Sequence, residues 1–311
     1  MKLARATFMG VRGLADATFD FMRSGAERPH DLIVVSGPRA TGKTRLLEAI
    51  LFAKDVVGSY GSVPDPAPFV RGPGEAAKII LSFWLDEEER AASGEPGPLC
   101  TVEALATSEG TNVEADEGIQ VLLERYEHTP RVGKVEYFPW SRQLVPYGSA
   151  AGLEAIEQRL QRTSSDLRKY SFVPRLLGSL AHDAVRAQYF AAVLSYLSPT
   201  ARYAPARGGA EPWACISSHG GPPVAPKWLS ASEADAVLFA ATATLVQLSR
   251  SLVVIDRPDL HVEPGEAAAF VTALAGLGSD NQLIVATNAP DVLAELEPSQ
   301  RIHLGPAGSA A

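Results

Sequence analysis

Residues 37–44 constrain this chain most, because they satisfy a short pattern whose chemistry requires a particular backbone. The run fits G-x-x-x-x-G-K-[ST] in full, and it lies between an apolar segment, Asp31 to Ser36, and an amphipathic one, Gly42 to about Val57. A strand, a loop and a helix in that order direct backbone N–H groups and a helix N-terminus towards phosphate oxygens. The pattern therefore predicts a phosphate-binding loop. Its residues are Gly37, Pro38, Arg39, Ala40, Thr41, Gly42, Lys43 and Thr44.

Two side chains of this loop have predicted roles in holding a nucleoside triphosphate. Lys43 is expected to reach the β- and γ-phosphates, and Thr44 is expected to bind Mg²⁺ through its hydroxyl. An ordinary glycine-rich turn between a strand and a helix is the alternative, and the flanking segments weigh against it. ATP with Mg²⁺ is therefore the predicted ligand.

A second candidate for the metal site lies late in the chain. Residues 252–255 are Leu, Val, Val and Ile, and Asp256 follows them. This pattern is typical of a buried strand that ends in one acid at the carboxyl edge of an open α/β sheet, where ligands bind. Asp256 is therefore predicted to hold Mg²⁺ opposite Thr44, and an acid that merely ends a strand is the alternative.

Several short segments carry a resemblance to one family. Arg12 lies in the run VRGLADATFDF, and residues 134–142 read KVEYFPWSR. Residues 229–233 read Leu-Ser-Ala-Ser-Glu, with Ser230 as the first serine, and residues 256–261 read Asp-Arg-Pro-Asp-Leu-His. Asn288 follows the apolar run that ends in Val285-Ala286-Thr287. Together with the phosphate loop, these segments resemble the ATP-binding-cassette head shared by SMC, RecF and OLD-type (overcoming-lysogenization-defect) ATPases.

The resemblance implies an α/β fold, a three-layer P-loop NTPase of the ABC-head type with a mixed sheet and an inserted helical subdomain. It also implies that two heads close face to face around ATP, with each phosphate loop covered by the other head's signature. The predicted partners are therefore a second copy of this chain or an effector protein in a heteromeric complex. Arg12 and the signature serine, Ser230, would be further nucleotide-binding residues. Ser230 and Glu233 also form an S-x-x-E capping box, so a simple helix start accounts for this run equally well.

Three departures from the family pattern put hydrolysis in doubt. Arg257 occupies the position of the family's catalytic glutamate, and a protonated guanidinium cannot accept a proton from water. Asn288 replaces the switch histidine and can hydrogen-bond a phosphate but cannot carry a charge. Ala231 and Ser232 replace glycines of the signature, which crowds the backbone near a γ-phosphate. The predicted catalytic residues are Lys43, Asp256, Arg257 and Asn288. We therefore predict a head that binds ATP and hydrolyses it slowly or with a partner's help.

Two alternatives stay open at this point. An active ATPase motor on DNA would need another base, for which Asp259, His261 and Glu263 are candidates, and Gln143 is a candidate Mg²⁺ sensor. A small-molecule kinase would need the same phosphate loop but not the later Asp256 strand. By resemblance alone, bacterial genome maintenance and antiviral defence are the settings in which compact heads occur.

Composition limits the partners. The chain has 36 acidic and 28 basic residues, a net charge of −8, which does not indicate a surface that coats nucleic acid, although local basic patches stay open. No apolar run has the length of a signal peptide or of a membrane span, and the 2 cysteines lack metal-ligand spacing. A cytoplasmic protein without a membrane partner is the prediction.

The predicted organisation is one nucleotide-binding core with an insertion. Residues 1–150 form its N-terminal part, 151–205 the helical insertion, 206–304 its C-terminal part, and 305–311 a tail. Within the first part, Ile119 to Glu127 is predicted as a strand and the acidic run Asp86 to Glu89 as a solvated turn.

Overall fold

The computed structural model describes residues 1–145, 154–205 and 214–305. Its strands are β1 (Lys2–Met9), β2 (Ala17–Asp20), β3 (Leu32–Ser36), β4 (Ala76–Trp84), β5 (Leu99–Thr107), β6 (Gly110–Ala115), β7 (Val135–Phe138), β8 (Ala201–Tyr203), β9 (Ile216–Ser218), β10 (Leu252–Asp256), β11 (Gln282–Ala286) and β12 (Arg301–His303). Its α-helices are α1 (Lys43–Val57), α2 (Glu87–Ser93), α3 (Glu117–Leu123), α4 (Ala155–Leu160), α5 (Val173–Ser179), α6 (Ala184–Leu197), α7 (Ala231–Val246), α8 (Ala267–Ala275) and α9 (Pro290–Glu295).

The strands form two large sheets, one parallel and one antiparallel. The parallel sheet has the order β12-β3-β11-β10-β7, and the antiparallel sheet has the order β2-β1-β4-β5-β6. The predicted α/β class with both strand directions is confirmed, and the two directions are divided between the two sheets. Because β3, β11 and β10 run parallel, their carboxyl ends meet at one edge, where Asp256 is in register with Ala286.

Helix α1 packs between the two sheets, so its apolar residues are buried against both of them. Its buried face contacts β4, β5 and β6 on one side and β10 and β11 on the other. Alternate residues of the parallel strands face opposite sides, as the two-residue period of a strand requires. Ile33 and Val35 belong to the core around α1, whereas Val34 belongs to the core formed with α5, α6, α7 and α8. The fold is therefore layered, with helices on the outer side of the parallel sheet.

Two local predictions are wrong. The segment predicted as a strand, Ile119 to Glu127, begins with helix α3, in which Ile119, Leu122 and Leu123 are buried at helical spacing. The acidic run Asp86 to Glu89 is a helix start and not a solvated turn, because Asp86 and Glu89 form a reciprocal capping box at the start of α2. Burial of apolar residues at helical spacing decides the first case, and the local capping box decides the second.

A buried charge cluster joins the helical insertion to the parallel sheet. Glu136 of β7 lies 2.9 Å from the amine of Lys169 and 3.4 Å from Nε of Arg162, and the side chains of all three are fully buried. The Lys169 amine also donates to the carbonyl of Arg162 at 2.6 Å. Both cations follow α4, so the insertion is connected to the strand that pairs with β10.

Some predictions fall where the structure gives no description. The predicted boundaries near residues 150 and 206 and most of the predicted tail fall on 146–153, 206–213 and 306–311, outside the described residues. Across the described ranges, no helix has both the length and the apolar character needed to cross a membrane.

Candidate functional site

The phosphate-binding loop connects β3 to α1 in a conformation that only glycine adopts at two positions. Gly37 has φ +142° and Gly42 has φ +92°. A Cβ at Gly37 would collide with the carbonyl of Leu304, and a Cβ at Gly42 would collide with the carbonyl of Gly13. The two glycines of the pattern are therefore required by close backbone approach on both sides of the loop.

The side chain of Lys43 reaches back to the start of the phosphate-binding loop. Its amine donates to the carbonyls of Gly37 at 2.7 Å and Pro38 at 2.8 Å, and the hydroxyl of Thr41 donates to the same Pro38 carbonyl at 2.9 Å. Burial lowers the pKa of Lys43, and the negative charge of Asp256 opposes that shift. Pro38, Arg39 and Ala40 form the exposed outer part of the loop.

The predicted metal ligands meet across the sheet edge. The hydroxyl of Thr44 donates to Oδ2 of Asp256 at 2.6 Å, although 212 positions separate them in the chain. Asp256 is 1% exposed, and burial raises its pKa, while the Thr44 hydrogen bond and the cations of Arg142, Arg257 and Lys43 lower it. A hydroxyl and a carboxylate this close fit the protein share of a Mg²⁺ site whose other ligands are phosphate and water oxygens. Within the described residues, no group of three or more His, Cys, Asp or Glu side chains could hold a metal by itself.

Arg257 and Asn288, the two predicted catalytic residues that depart from the family pattern, lie at the same edge of the parallel sheet as Asp256. Arg257 is exposed and adopts a left-handed conformation, with φ +52°, and its N–H donates to the carbonyl of Ala286 at 2.9 Å. Asn288 accepts through Oδ1 from the N–H of Gly37 at 3.0 Å. The structure therefore brings Asn288 directly onto the first glycine of the loop and places Arg257 beside Asp256.

Arg12 lies near the loop, but its guanidinium bonds elsewhere. Its neighbour Gly13 is the residue whose carbonyl abuts Gly42. The Arg12 side chain is exposed and donates to the carbonyl of Arg71 at 3.3 Å, while its N–H donates to the carbonyl of Phe69 at 2.8 Å. Arg12 is thus beside the phosphate loop without touching it.

Ser230, another predicted nucleotide-binding residue, lies at the start of α7. It caps α7 in a reciprocal capping box with Glu233. Glu233 also accepts hydrogen bonds from the hydroxyls of Ser218 and Thr200. Among the contacts of the described ranges, none joins Ser230 to the phosphate loop. The helix-start role is therefore confirmed, and the signature role stays a prediction that requires contact with another molecule.

The candidate substitute bases have other partners or are exposed. Asp259 accepts from the hydroxyl of Thr287 at 2.6 Å, and Nδ1 of His261 lies 3.0 Å from Oδ2 of Asp235. Glu263 is exposed, and so is Gln143, the candidate Mg²⁺ sensor.

Sequence reasoning did not find the contact that holds the turn after β10. Arg142 is buried and donates to the carbonyls of Asp256 at 2.9 Å and Arg257 at 3.0 Å and to Oδ2 of Asp235 at 2.8 Å. The acid Asp235 in the otherwise mostly apolar sequence of α7 was a usable signal, because a buried charge requires a partner.

Comparison with known proteins identifies the fold. No family model matches this sequence, and no curated protein matches it either. Among solved structures, an Smc head bound to the C-terminal winged-helix domain of ScpA matches with a TM-score of 0.58 and 13% identity over 94% of this chain and 91% of that one. The chain has the fold of an SMC head.

Two further SMC-head structures agree. An Smc head domain with an extended coiled coil, bound to the C-terminal domain of ScpA from Pyrococcus furiosus, gives a TM-score of 0.57 at 11% identity, over 94% of this chain and 91% of that chain. The SMC head domain from Thermotoga maritima gives 0.52 at 15% identity, over 98% and 94%. The predicted ABC-type head architecture is therefore confirmed at the level of the fold.

Proposed function

We propose that this chain is an ATP-binding head whose Mg²⁺·ATP state controls its association with a second copy or an effector protein, and that it hydrolyses ATP slowly. The observation that carries the proposal is the 2.6 Å contact between Thr44 and Asp256 beneath a phosphate loop whose lysine amine already faces backbone oxygens. Lys43 offers an ammonium group to phosphate oxygens. Thr44 and Asp256, from distant parts of the chain, offer oxygen ligands to Mg²⁺.

One feature favours a switch over a motor, and a second favours a protein partner. The residue after Asp256 is Arg257, which cannot act as a base, and the nearby side chains Asp259 and His261 already bond to Thr287 and Asp235. Two of the SMC heads with this fold are bound to part of ScpA, a separate protein. Partner binding by the head is therefore the kind of output that we propose.

Replacing Lys43 with alanine is expected to weaken binding of Mg²⁺·ATP by about 10- to 100-fold, the usual size of a charge-assisted hydrogen bond of about 1.5–3 kcal/mol. The ammonium neutralises β- and γ-phosphate charge that backbone N–H groups offset only in part. Calorimetric titration with a non-hydrolysable ATP measures the affinity of wild type and variant.

The matched control is Lys78→Ala, which removes a lysine paired with Glu103 on the antiparallel sheet. It should bind nucleotide as wild type does. Equal affinities for wild type and Lys43→Ala would remove the assignment of the phosphate loop, and with it the proposed function.

Non-hydrolysable ATP with Mg²⁺ is expected to increase the mass of the protein in solution, alone or with an added partner. Ser230→Tyr is expected to weaken that increase without abolishing nucleotide binding to the separated head, because a bulky side chain at the start of α7 hinders approach to a nucleotide held by another molecule. Light scattering with and without nucleotide measures the association.

Loss of the Ser230 cap costs about 1 kcal/mol by itself, so nucleotide affinity and thermal stability of Ser230→Tyr are measured in parallel. Ser108→Tyr, on the exposed turn between β5 and β6, is the matched control and should associate normally. A mass that stays constant with nucleotide in every mixture argues against the association.

A further inference from the structure

The turn that follows β10 is held by one buried arginine. Arg142 lies just after β7, the neighbour of β10 in the parallel sheet, so its side chain approaches the turn from the adjacent strand end. Its Nη1 donates to the Asp256 carbonyl and its Nη2 to the Arg257 carbonyl, at 2.9 Å and 3.0 Å. Both backbone carbonyls of the metal-site turn are thus fixed by a single guanidinium.

This turn needs an external support. Arg257 has φ +52°, a conformation that costs a residue with a Cβ about 1–2 kcal/mol. Such a backbone persists only where surrounding contacts hold it. The Arg142 hydrogen bonds, together with the bond from the Arg257 N–H to the Ala286 carbonyl, supply those contacts on both sides of the turn.

The same guanidinium connects the turn to α7. Nη2 of Arg142 also donates to Oδ2 of Asp235 at 2.8 Å, and Nδ1 of His261, at the end of the 3₁₀ turn that follows Arg257, lies 3.0 Å from the same oxygen. Asp235 is 5% exposed, and the Arg142 guanidinium lies 5.1 Å from the ring centre of Phe239, also on α7. One carboxylate of α7 therefore contacts the segment that carries Asp256 and Arg257 in two ways, directly through His261 and indirectly through Arg142.

We propose that Arg142 is a positioning residue for the metal half of the nucleotide site, and that Asp235 makes α7 and the Asp256 turn move as one unit. The inference rests on the proposed function. The inference goes beyond the proposed function because it names the connection between Asp256, the proposed metal ligand, and helix α7, which Ser230 caps. A partner that shifts α7 would shift the Asp256 carboxylate relative to Thr44.

The proposal predicts a selective defect. Without Arg142 the turn relaxes, and the Asp256 carboxylate leaves the position that a small, strictly octahedral cation requires. The phosphate loop is held separately, because it connects β3 to α1 and packs closely against the carbonyls of Gly13 and Leu304. The affinity for nucleotide without Mg²⁺, which depends on Lys43, is therefore expected to stay unchanged. Arg142→Gln is therefore expected to reduce the ratio of nucleotide affinity with Mg²⁺ to that with EDTA by about tenfold, or about 1.4 kcal/mol.

The experiment is calorimetric titration of a non-hydrolysable ATP in Mg²⁺ and in EDTA, with thermal unfolding of every variant. Arg142→Lys should recover only part of the ratio, because an ammonium keeps the charge next to Asp235 but cannot reach both carbonyls in the fork geometry. Asp235→Asn should lower the ratio in the same direction, since it leaves the guanidinium without its counter-charge.

Arg162→Lys is the matched control, because Arg162 is also a buried arginine but pairs with Glu136 and donates to the carbonyl of Tyr126. It should lower stability and leave the ratio unchanged. If Arg142→Gln does not fold, Arg142→Lys and Asp235→Asn decide the question. A wild-type ratio in a folded Arg142 variant overturns the positioning role while the proposed function stands. A wild type that binds no nucleotide overturns both.

Discussion

Replacing Arg257 with glutamate is expected to raise the rate of ATP hydrolysis by about 10²- to 10⁴-fold, which is the usual contribution of a positioned general base. Position 257 follows Asp256, the proposed metal ligand, directly, and its side chain is exposed at the sheet edge that carries the phosphate loop. A carboxylate there can accept the proton of an attacking water, whereas a guanidinium stays protonated. Release of phosphate measures the gain, with Lys43→Ala as the blank.

Arg257→Gln separates two causes of such a gain. It removes the cation without adding a base, so activity equal to that of Arg257→Glu would show that charge removal, and not proton transfer, limits the wild type. The Arg257→Glu/Asn288→His double variant is expected to exceed the single one. A neutral histidine can accept the Gly37 N–H bond that Asn288 accepts at 3.0 Å, and it can also become charged.

The opposite pattern would change the proposed function. If wild type hydrolyses ATP at an ordinary rate and Arg257→Glu slows it, the slow-switch proposal is wrong, and Asp259, His261, Glu263 or a partner residue must supply the base. Labelled phosphate that moves to a metabolite instead of water would favour the kinase alternative.

Much of the nucleotide site could be predicted because it depends on local pattern. The apolar run before Asp256 predicts a strand, because strands buried on both faces are continuously hydrophobic. The predicted limits, Leu252 to Asp256, are those of β10 in the structure. The phosphate loop has a pattern specific enough to fix its glycines and its lysine. Parallel strands then bring Thr44 and Asp256 to one edge, as their positions after β3 and at the end of β10 predict.

The contacts that support the site could not be predicted in the same way. Arg142 and Asp235 are 93 positions apart, and neither has a local pattern that specifies the other. The same limit applies to Ser230, whose capping box satisfies the sequence pattern whether or not another molecule ever meets it. Pairing between distant residues depends on the order of strands in the sheet, which no short segment encodes.

Replacing Glu136 with glutamine is expected to lower the free energy of unfolding by about 3–5 kcal/mol, the usual cost of removing one partner from a buried ion pair. Glu136 is the carboxylate that lies 2.9 Å from Lys169 and 3.4 Å from Arg162 in a fully buried cluster. Without it, two cations stay in a medium of low polarity and repel each other. Urea unfolding of wild type and variant at neutral pH measures the loss.

Glu103→Gln is the matched control, because it makes the same substitution in an ion pair with Lys78 that is about one-third exposed on both sides. Exposed pairs contribute about 0–1 kcal/mol, so this variant should unfold close to wild type. Equal losses in the two variants would show that the buried cluster does not act as a charged unit. A large loss confined to Glu136→Gln would show that the helical insertion is held to β7 by charge.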